Sequence, residues 1–511
     1  MELLDCTLRD GGYYNNWDFS DETAEKYFKA MEILPIDILE IGYRSRPQKA
    51  YEGKYFYCPD FVLKQARVWA PSKKLGIMLN EKDCAVSDLE GLLQPCQGYI
   101  DIIRIAVAPE RFSEAICLAK AIKEFNFKVG FNVMYMSKLT EQSAVFEKIS
   151  ELEGLVDYFN LVDSYGGIYP ETVKKIVQLC KSKTSVPIGF HGHNNMELVF
   201  ANSLAAIEAG CDIIDATICG MGRGAGNLKT ELWLTHLAKI GTVSVDFNAL
   251  SDVVSAFETL QEKYRWGTNL PYMVSGASSL PQKDVMDWVT TRFYSINSII
   301  RALHNQNRGE KDNIKLPLFE SQKQYNRALI VGGGPSVLND KEALLKFIDN
   351  SPDVCVINAS TKHSHIFRNV KNEQIYCLVG NEGHRMEDVF NSLENIKGNC
   401  VLPPFPRKMG TYIPNEMRER AFELRDVSFT EKFKDSHTAL AIQSAIEIGV
   451  KSVLIAGYDG YPDESISSKE QALFSENEYL FRKATKSLIE ITAITSTRYS
   501  IKTHSVYSLV S

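Results

Sequence analysis

Four short stretches of the 511-residue chain carry side chains whose types are hard to explain by packing. "LDCTLRDGGYY" (4–14) ends an apolar run in Arg9, Asp10 and two glycines, with Tyr13 and Tyr14 behind them. Asp10 is open to two readings, a hard oxygen ligand or a general base. Arg9 is suited to holding a carboxylate or steadying an enolate oxygen, and a salt-bridged turn accounts for the pair equally well. "GFHGHNN" (189–195) places His191 and His193 two apart, so on a strand both project to one side. Imidazole nitrogens at that spacing suit a divalent transition metal, with a carboxylate completing one face. Asn194 and Asn195 also read as caps of a helix from Glu197. "TICGMGRGAGN" (217–227) has glycine at 220, 222, 224 and 226, a backbone free to wrap an anionic group, with Asn227 starting a helix. Cys219 in that loop reads as a small packed residue before a reactive one. "LVDSYGG" (161–167) closes an apolar strand with Asp163 and Ser164, a helix cap or a functional pair. Taken together, one metal held by Asp10, His191 and His193 beside Arg9 is chemistry for polarising a carbonyl and stabilising an enolate.

Positioning such residues requires strands that end on one face. Candidate strands fall at 2–7, 36–42, 74–79, 100–106, 128–134, 158–163, 187–191 and 212–217. Helical patterns lie between them, for example at 21–34, 112–125, 170–183 and 197–210. Eight such alternations in about 220 residues predict a closed (β/α)8 TIM barrel, whose sites sit at the carboxyl ends of the strands. The helix-rich segment 230–303 is expected to add the last barrel helix and a cap. Residues 304–326 are polar and aperiodic, a linker. "RALIVGGGPSVLND" then opens a second, Rossmann-like α/β domain over 327–511, with further strands at 353–358, 374–379 and 452–456. The division is thus 1–303, 304–326 and 327–511.

Bulk properties exclude classes. A net charge of −7 argues against nucleic acid or an anionic membrane as partner. No apolar run is long enough to span a bilayer, and no signal peptide opens the chain. Eleven scattered cysteines without CxxC pairs read as reduced thiols, hence a cytoplasmic setting.

"LDCTLRDGG" resembles the signature of the DRE-TIM metallolyase superfamily, which opens Asp-x-Thr-Leu-Arg-Asp-Gly. That superfamily includes hydroxymethylglutaryl-CoA lyase, isopropylmalate and citramalate synthases and 4-hydroxy-2-oxovalerate aldolase. "HGHNN" and "GRGAGN" recur in the right order, so the resemblance covers residues 1 to about 240. It implies a divalent metal (Mn2+ or Mg2+ favoured over Co2+ or Zn2+) on Asp10, His191 and His193. It also implies Arg9 as the enolate-stabilising group, with Asn227 close to the metal. Glu40 in "LEIGYRS" matches a family acid, structural as readily as catalytic; Arg104 and Ser164 are placed near metal or substrate. The condensing enzymes read Arg-Asp-Gly-Glu-Gln where this chain has Arg9-Asp10-Gly11-Gly12-Tyr13. "VGFNVMYMS" and "VDSYGG" resemble the aldolase branch instead, which carries a histidine base where Tyr13 stands. Tyr13 reads as a proton donor to a substrate hydroxyl or as a pocket wall.

"LIVGGGPSVLND" and "SHTALAIQSAIEIGVKSVLIAGYDGY" (436–461) resemble motility-accessory-factor glycosyltransferases, bacterial sialyltransferases and hydroxymethylpterin diphosphokinases. Amides of Gly332, Gly333, Gly334 and Ser336 would cradle a phosphate. Asn358 and Asp459 end strands where such sheets place ligand contacts. A nucleotide or nucleotide-sugar is the implied partner, close packing of the turn the plain alternative. The expected function is a metal-dependent aldolase or lyase acting on a 2-oxo or 3-hydroxy acid through a pyruvate-type enolate, in surface-sugar metabolism, with a homo-oligomer as the candidate assembly. An acyl-CoA condensing synthase and a non-catalytic metal- and nucleotide-binding protein are the rivals.

Overall fold

β-branched and aliphatic residues alternate with inward-facing polar ones along eight short strands, and those strands close on themselves. They are β1 Glu2–Asp5, β2 Ile38–Tyr43, β3 Lys74–Asn80, β4 Ile102–Val107, β5 Lys128–Val133, β6 Tyr158–Asp163, β7 Ile188–Gly192 and β8 Ile213–Ala216. Every neighbouring pair is parallel, and β8 returns to β1 with Leu4 opposite Asp215, closing the barrel. These observations come from a computed structural model that describes residues 1–140, 142–290, 296–309, 314–321, 323–394, 396–407, 412–461, 468–486 and 490–510.

The barrel interior has two layers of different character. Leu4, Ile38, Ile102, Tyr158 and Ile213 form an apolar plug with Cys6. Two residues further along, where a strand's side chain returns to the same face, stand Glu40, Arg104, Asn160 and Asp215, all buried. The plug excludes water below, and the polar layer faces the carboxyl ends where chemistry is built. Outside, the amphipathic helices Asp21–Ile33, Phe112–Lys123, Pro170–Lys183 and Val199–Glu208 bury their apolar stripes on the barrel.

Two local expectations need correction. The first strand stops at Asp5 rather than residue 7, because the Asp5 carboxylate accepts bonds from the Thr7 amide (2.9 Å) and hydroxyl (2.6 Å). Those bonds turn the chain into the short helices Thr7–Asp10 and Gly12–Asn15. The helix expected from Glu197 begins at Val199, and Glu197 itself holds a positive φ of 56°.

Helices Thr230–Lys239, Phe247–Tyr264, Leu270–Ala277 and Gln282–Thr290 follow the barrel. Phe257 packs its ring 6.1 Å from Tyr27 of the helix Asp21–Ile33. The chain divides into compact units at 1–291 and 292–511, earlier than the expected 303. The reason is a continuous amphipathic helix, Ile296–Arg308, which carries regular structure into the segment read as linker from 304. Within that linker, 310–313 and 322 lie outside the described residues.

The second unit is a single parallel sheet. Its strands are β9 Arg327–Val331, β10 Val354–Asn358, β11 Gln374–Cys377, β12 Asn399–Leu402, β13 Ala421–Glu423, β14 Ser452–Ala456, β15 Glu490–Ala493 and β16 Lys502–Thr503. Their order is β13-β12-β11-β10-β9-β14-β15-β16, so the chain winds outward from β9 and then crosses to its other side at β14. That reversal is the switch point of a doubly wound fold. No helix among the described residues is long and apolar enough to cross a membrane.

Candidate metal centre

The ends of β1 and β7 bring Asp10, His191 and His193 together, and all three are buried. Each imidazole points its Nε2 at the same carboxylate oxygen, Asp10 Oδ2, at 3.9 Å. Their Nδ1 atoms turn the other way. His193 Nδ1 lies 2.8 Å from the Asp163 carbonyl, and His191 Nδ1 lies 3.0 Å from Asp215 Oδ2. Such acceptors keep the proton on Nδ1 and leave the Nε2 lone pair for a cation. Asn227 donates from Nδ2 to Asp10 Oδ2 at 2.6 Å, and its own buried Oδ1 has no hydrogen-bond partner among the described residues. One carboxylate, two imidazoles and an orphaned amide oxygen fit a divalent ion.

Charge on these groups follows from their setting. Burial pushes the Asp10 carboxyl up, but the Arg9 guanidinium and then the two imidazoles hold it well below the usual carboxylate range. Burial, then the neighbouring His191, lowers His193 to about 4, so it is a neutral ligand at physiological pH.

Arg9 gives its Nε to Glu40 Oε2 (2.6 Å) and its Nη1 to Asp10. Glu40 Oε2 also lies 3.2 Å from Arg104 Nη1, and Arg104 Nη2 meets Asp215 Oδ2 at 2.7 Å. Asp10, Arg9, Glu40, Arg104 and Asp215 therefore make a run of alternating charge inside the barrel, with His191 between Asp215 and Asp10. Arg104 and Glu40 lie within that run, behind Arg9 and His191. Asp215 was not singled out from sequence. Its one signal was an acid inside the apolar run "DIIDAT" (212–217), where an unpaired carboxylate would be costly.

One amide of the glycine-rich loop, that of Arg223, lies 3.4 Å from the Asp10 carboxylate oxygen Oδ2. A Cβ on Gly222 would sit 2.3 Å from Asn227 Nδ2, so glycine is what lets the amide reach Asp10. Asn227 does not start a helix. It forms an isolated antiparallel bridge with His193, and the helix begins at Thr230. Tyr14 hydrogen-bonds the Gly224 carbonyl at 2.5 Å and pins the loop. Cys219 is packed, its thiol pushed up to about 12 by burial.

The remaining residues divide between scaffold and rim. Ser164 Oγ accepts the Tyr135 amide (2.9 Å), which stabilises that residue's left-handed backbone. Asp163 caps its own turn through the amides of Gly166 and Ile168, with its carboxyl raised to about 6 by burial. Asn194 Oδ1 lies 3.4 Å from the Val199 amide, but the N-cap position is Leu198 and no side chain caps the helix. Asn195 is no cap, since its Nδ2 reaches the Tyr272 carbonyl and Gln282. Tyr13 stands at the rim, hydroxyl to hydroxyl with Tyr43 at 3.3 Å, with the Arg223 guanidinium 5.1 Å above its ring.

In the second unit the glycine turn is engaged by protein. The Gly334 amide donates to the Gly457 carbonyl (2.8 Å), and the Ser336 amide meets Asp459 Oδ2 at 3.3 Å. A carboxylate thus stands where the amides were expected to cradle phosphate. Gly332 and Gly334 are required by close approach, a Cβ on Gly334 falling 1.7 Å from Asp459. Gly333 presents its carbonyl to Lys362 Nζ at 3.1 Å. Asn358 is fully buried, its Nδ2 directed to Gln374 and the Ile375 carbonyl, and its Oδ1 has no hydrogen-bond partner among the described residues.

Comparison with known proteins agrees with the barrel. A family profile described as HMGL-like matches residues 104–256. A 4-hydroxy-2-oxovalerate aldolase of Carboxydothermus hydrogenoformans is 31% identical over 280 residues, 52% of this chain and 78% of that protein. An oxaloacetate decarboxylase of Mycobacterium tuberculosis is 25% identical over 60% of this chain and 92% of its own length. Among solved structures, the N-terminal domain of a candidate aldolase from Bacteroides vulgatus is 54% identical, with a TM-score of 0.56. It matches along its whole length and covers 59% of this chain.

Proposed function

Because the chain belongs to the HMGL-like family of divalent-metal-dependent carbon–carbon lyases, with 4-hydroxy-2-oxovalerate aldolases among its relatives, we propose that it is an aldolase whose enolate-forming half is pyruvate. The observation that carries this reading is the pair of imidazole Nε2 atoms converging at 3.9 Å on one Asp10 oxygen. Asp10, His191 and His193 would hold Mn2+ or Mg2+, with Asn227 Oδ1 beside them. Bound there, the ion supplies Lewis acidity toward the 2-oxo carbonyl and carboxylate.

The protein groups then have distinct tasks. Arg9 is fixed through Nε and Nη1, so its guanidinium plane is set before substrate arrives and its charge faces the developing enolate oxygen. In the condensing direction the enolate carbon attacks an aldehyde, a carbon–carbon bond forms, and the aldehyde oxygen becomes an alkoxide. The Tyr13 hydroxyl gives that alkoxide its proton, with Tyr43 hydrogen-bonded behind it. Decarboxylation of oxaloacetate, the reaction in one relative's name, also generates the enolate of pyruvate, which supports pyruvate as the shared half.

The test is metal-dependent exchange of pyruvate's methyl protons in deuterated water, followed by NMR. Exchange should appear with Mn2+ or Mg2+ and vanish with a chelator; a protein that binds the metal and exchanges nothing would refute the reading. Metal analysis of His191→Ala should show the bound ion lost.

The second unit supports a more modest proposal, a nucleotide or nucleotide-sugar at the carboxyl edge of β9, β10 and β14. The reversal of strand order between β9 and β14 favours it. With Asp459 on the glycine turn, phosphate would have to meet Lys362 or Arg385 rather than loop amides. Calorimetry with nucleoside mono- and diphosphates decides it, and absence of heat with every one counts against it.

A further inference from the structure

Beside Tyr13, at the carboxyl ends of β2 and β3, lies a cavity of about 190 Å³ that the metal centre does not use. Tyr13, Trp17, Tyr43 and Phe56 wall one part of it, and Glu52, Asn80, Asp83, Arg44 and Arg46 line the rest. The Trp17 ring meets Tyr13 edge-on at 4.8 Å and Tyr43 at 5.7 Å, so the aromatic wall is rigid. Through Tyr13 the wall runs from the cavity toward Asp10.

The polar lining is biased toward acceptors. Arg44 is consumed by backbone, bonding the carbonyls of Leu92, Tyr57, Cys58 and Gly91. Arg46 Nε bonds the Asp83 carbonyl, and its Nη1 lies 3.6 Å from Asp88. Asn80 spends its Nδ2 on Asp83 Oδ2 at 2.8 Å. Glu52 is the opposite case: its Oε2 is buried with no hydrogen-bond partner among the described residues. A buried carboxylate oxygen left unpaired requires a donor from elsewhere. Glu52 and Asp83 carboxylates, arginines largely engaged by the protein and aromatic faces fit a ligand with hydroxyl hydrogens to give and C–H faces to stack. An alkyl chain would leave Glu52 unpaired, and a phosphate would face the Glu52 and Asp83 carboxylates.

Resting on the aldolase reading above, we propose that this cavity receives the carbonyl component as a neutral, hydroxylated aldehyde of three or four carbons. The volume agrees, since about 190 Å³ corresponds to roughly six liquid-water volumes. Glu52, Asn80 and the Tyr13–Tyr43 pair are then the specificity-determining groups.

Two measurements on the full chain with Mn2+ separate this proposal from the reading beneath it. In pyruvate condensation, glyceraldehyde and erythrose should exceed propanal and butanal in kcat/KM by about tenfold or more. Glyceraldehyde 3-phosphate should be poorer than glyceraldehyde, and Glu52→Gln should shrink the preference for hydroxyls. Alkanals reacting equally well, or a ratio untouched by Glu52→Gln, overturns the proposal. Should pyruvate exchange itself fail, the aldolase reading falls, and the cavity is still decided by Trp17 fluorescence. Erythritol should then saturate the signal where butan-1-ol does not, and Trp17→Phe should silence it. Absence of erythritol binding, or butan-1-ol binding as tightly, refutes the assignment even where exchange proceeds.

Discussion

His191 shows how one side chain acquires a role from its neighbour. A histidine offers either nitrogen to a metal, and Asp215 decides by accepting from Nδ1. Asp215→Asn should therefore weaken Mn2+ binding by about 10- to 100-fold in a titration. It should also lower the melting temperature, because Arg104 loses its 2.7 Å carboxylate partner. Unchanged metal affinity would show that Asp215 serves Arg104 alone. Tyr13→Phe tests the rim: the ratio of aldol condensation to pyruvate exchange should fall about 100-fold or more, the usual range for losing a general acid. The candidate ligands Asp10, His191 and His193 were named from sequence because their motifs, weak singly, recur together in the order of the family they resemble. Asp215 and Tyr43 were not, because each matters only through a partner more than twenty residues away, which no local spacing reports.

At the level of elements, the eight barrel strands were readable to within a residue or two, since each has a local apolar run with turn residues at its ends, whereas β12, β13, β15 and β16 of the second unit were not read. What failed were junctions governed by side-chain bonds to distant backbone. Asp5 ends β1 by turning Thr7, and Asn227 lies extended because it bridges His193. The glycine loop is the clearest case. Four glycines suggested an anion site, and in the fold one loop amide, that of Arg223, lies 3.4 Å from the Asp10 carboxylate. Gly222→Ala should drive a Cβ into Asn227, displace its amide from Asp10 and weaken metal binding about tenfold or more, without disturbing β8 as read by far-ultraviolet circular dichroism. Retained affinity would mean that Asn227 is dispensable.

For the whole molecule, two domains were expected from length and from the second strand–glycine–helix start, and two compact units are found. The helix Ile296–Arg308 runs five residues into the stretch read as linker from 304. The second unit has its own pH signature in Glu382. Burial raises its carboxyl, but His437, Arg385 and the Thr361 hydroxyl more than reverse that and bring it to about 2. A carboxyl depressed on folding stabilises above its unfolded value near 4.5, and that contribution is lost as pH falls toward 2. Relative to Glu382→Gln, the wild-type protein should lose on the order of 3 kcal/mol over that window in urea titrations of the second unit. Parallel curves for the two proteins would contradict the ion-paired state.

The run Asp10–Arg9–Glu40–Arg104–Asp215–His191 also constrains how this barrel can change by descent or by design. Arg9, Glu40 and Arg104 each sit between two opposite charges, so a single neutral substitution there strands a charge on both sides. Glu40→Gln and Arg104→Met should each cost several kcal/mol, and the double variant less than their sum. Tolerated replacements will then arrive in pairs, and laboratory lineages that vary this layer one position at a time should stall where paired libraries continue.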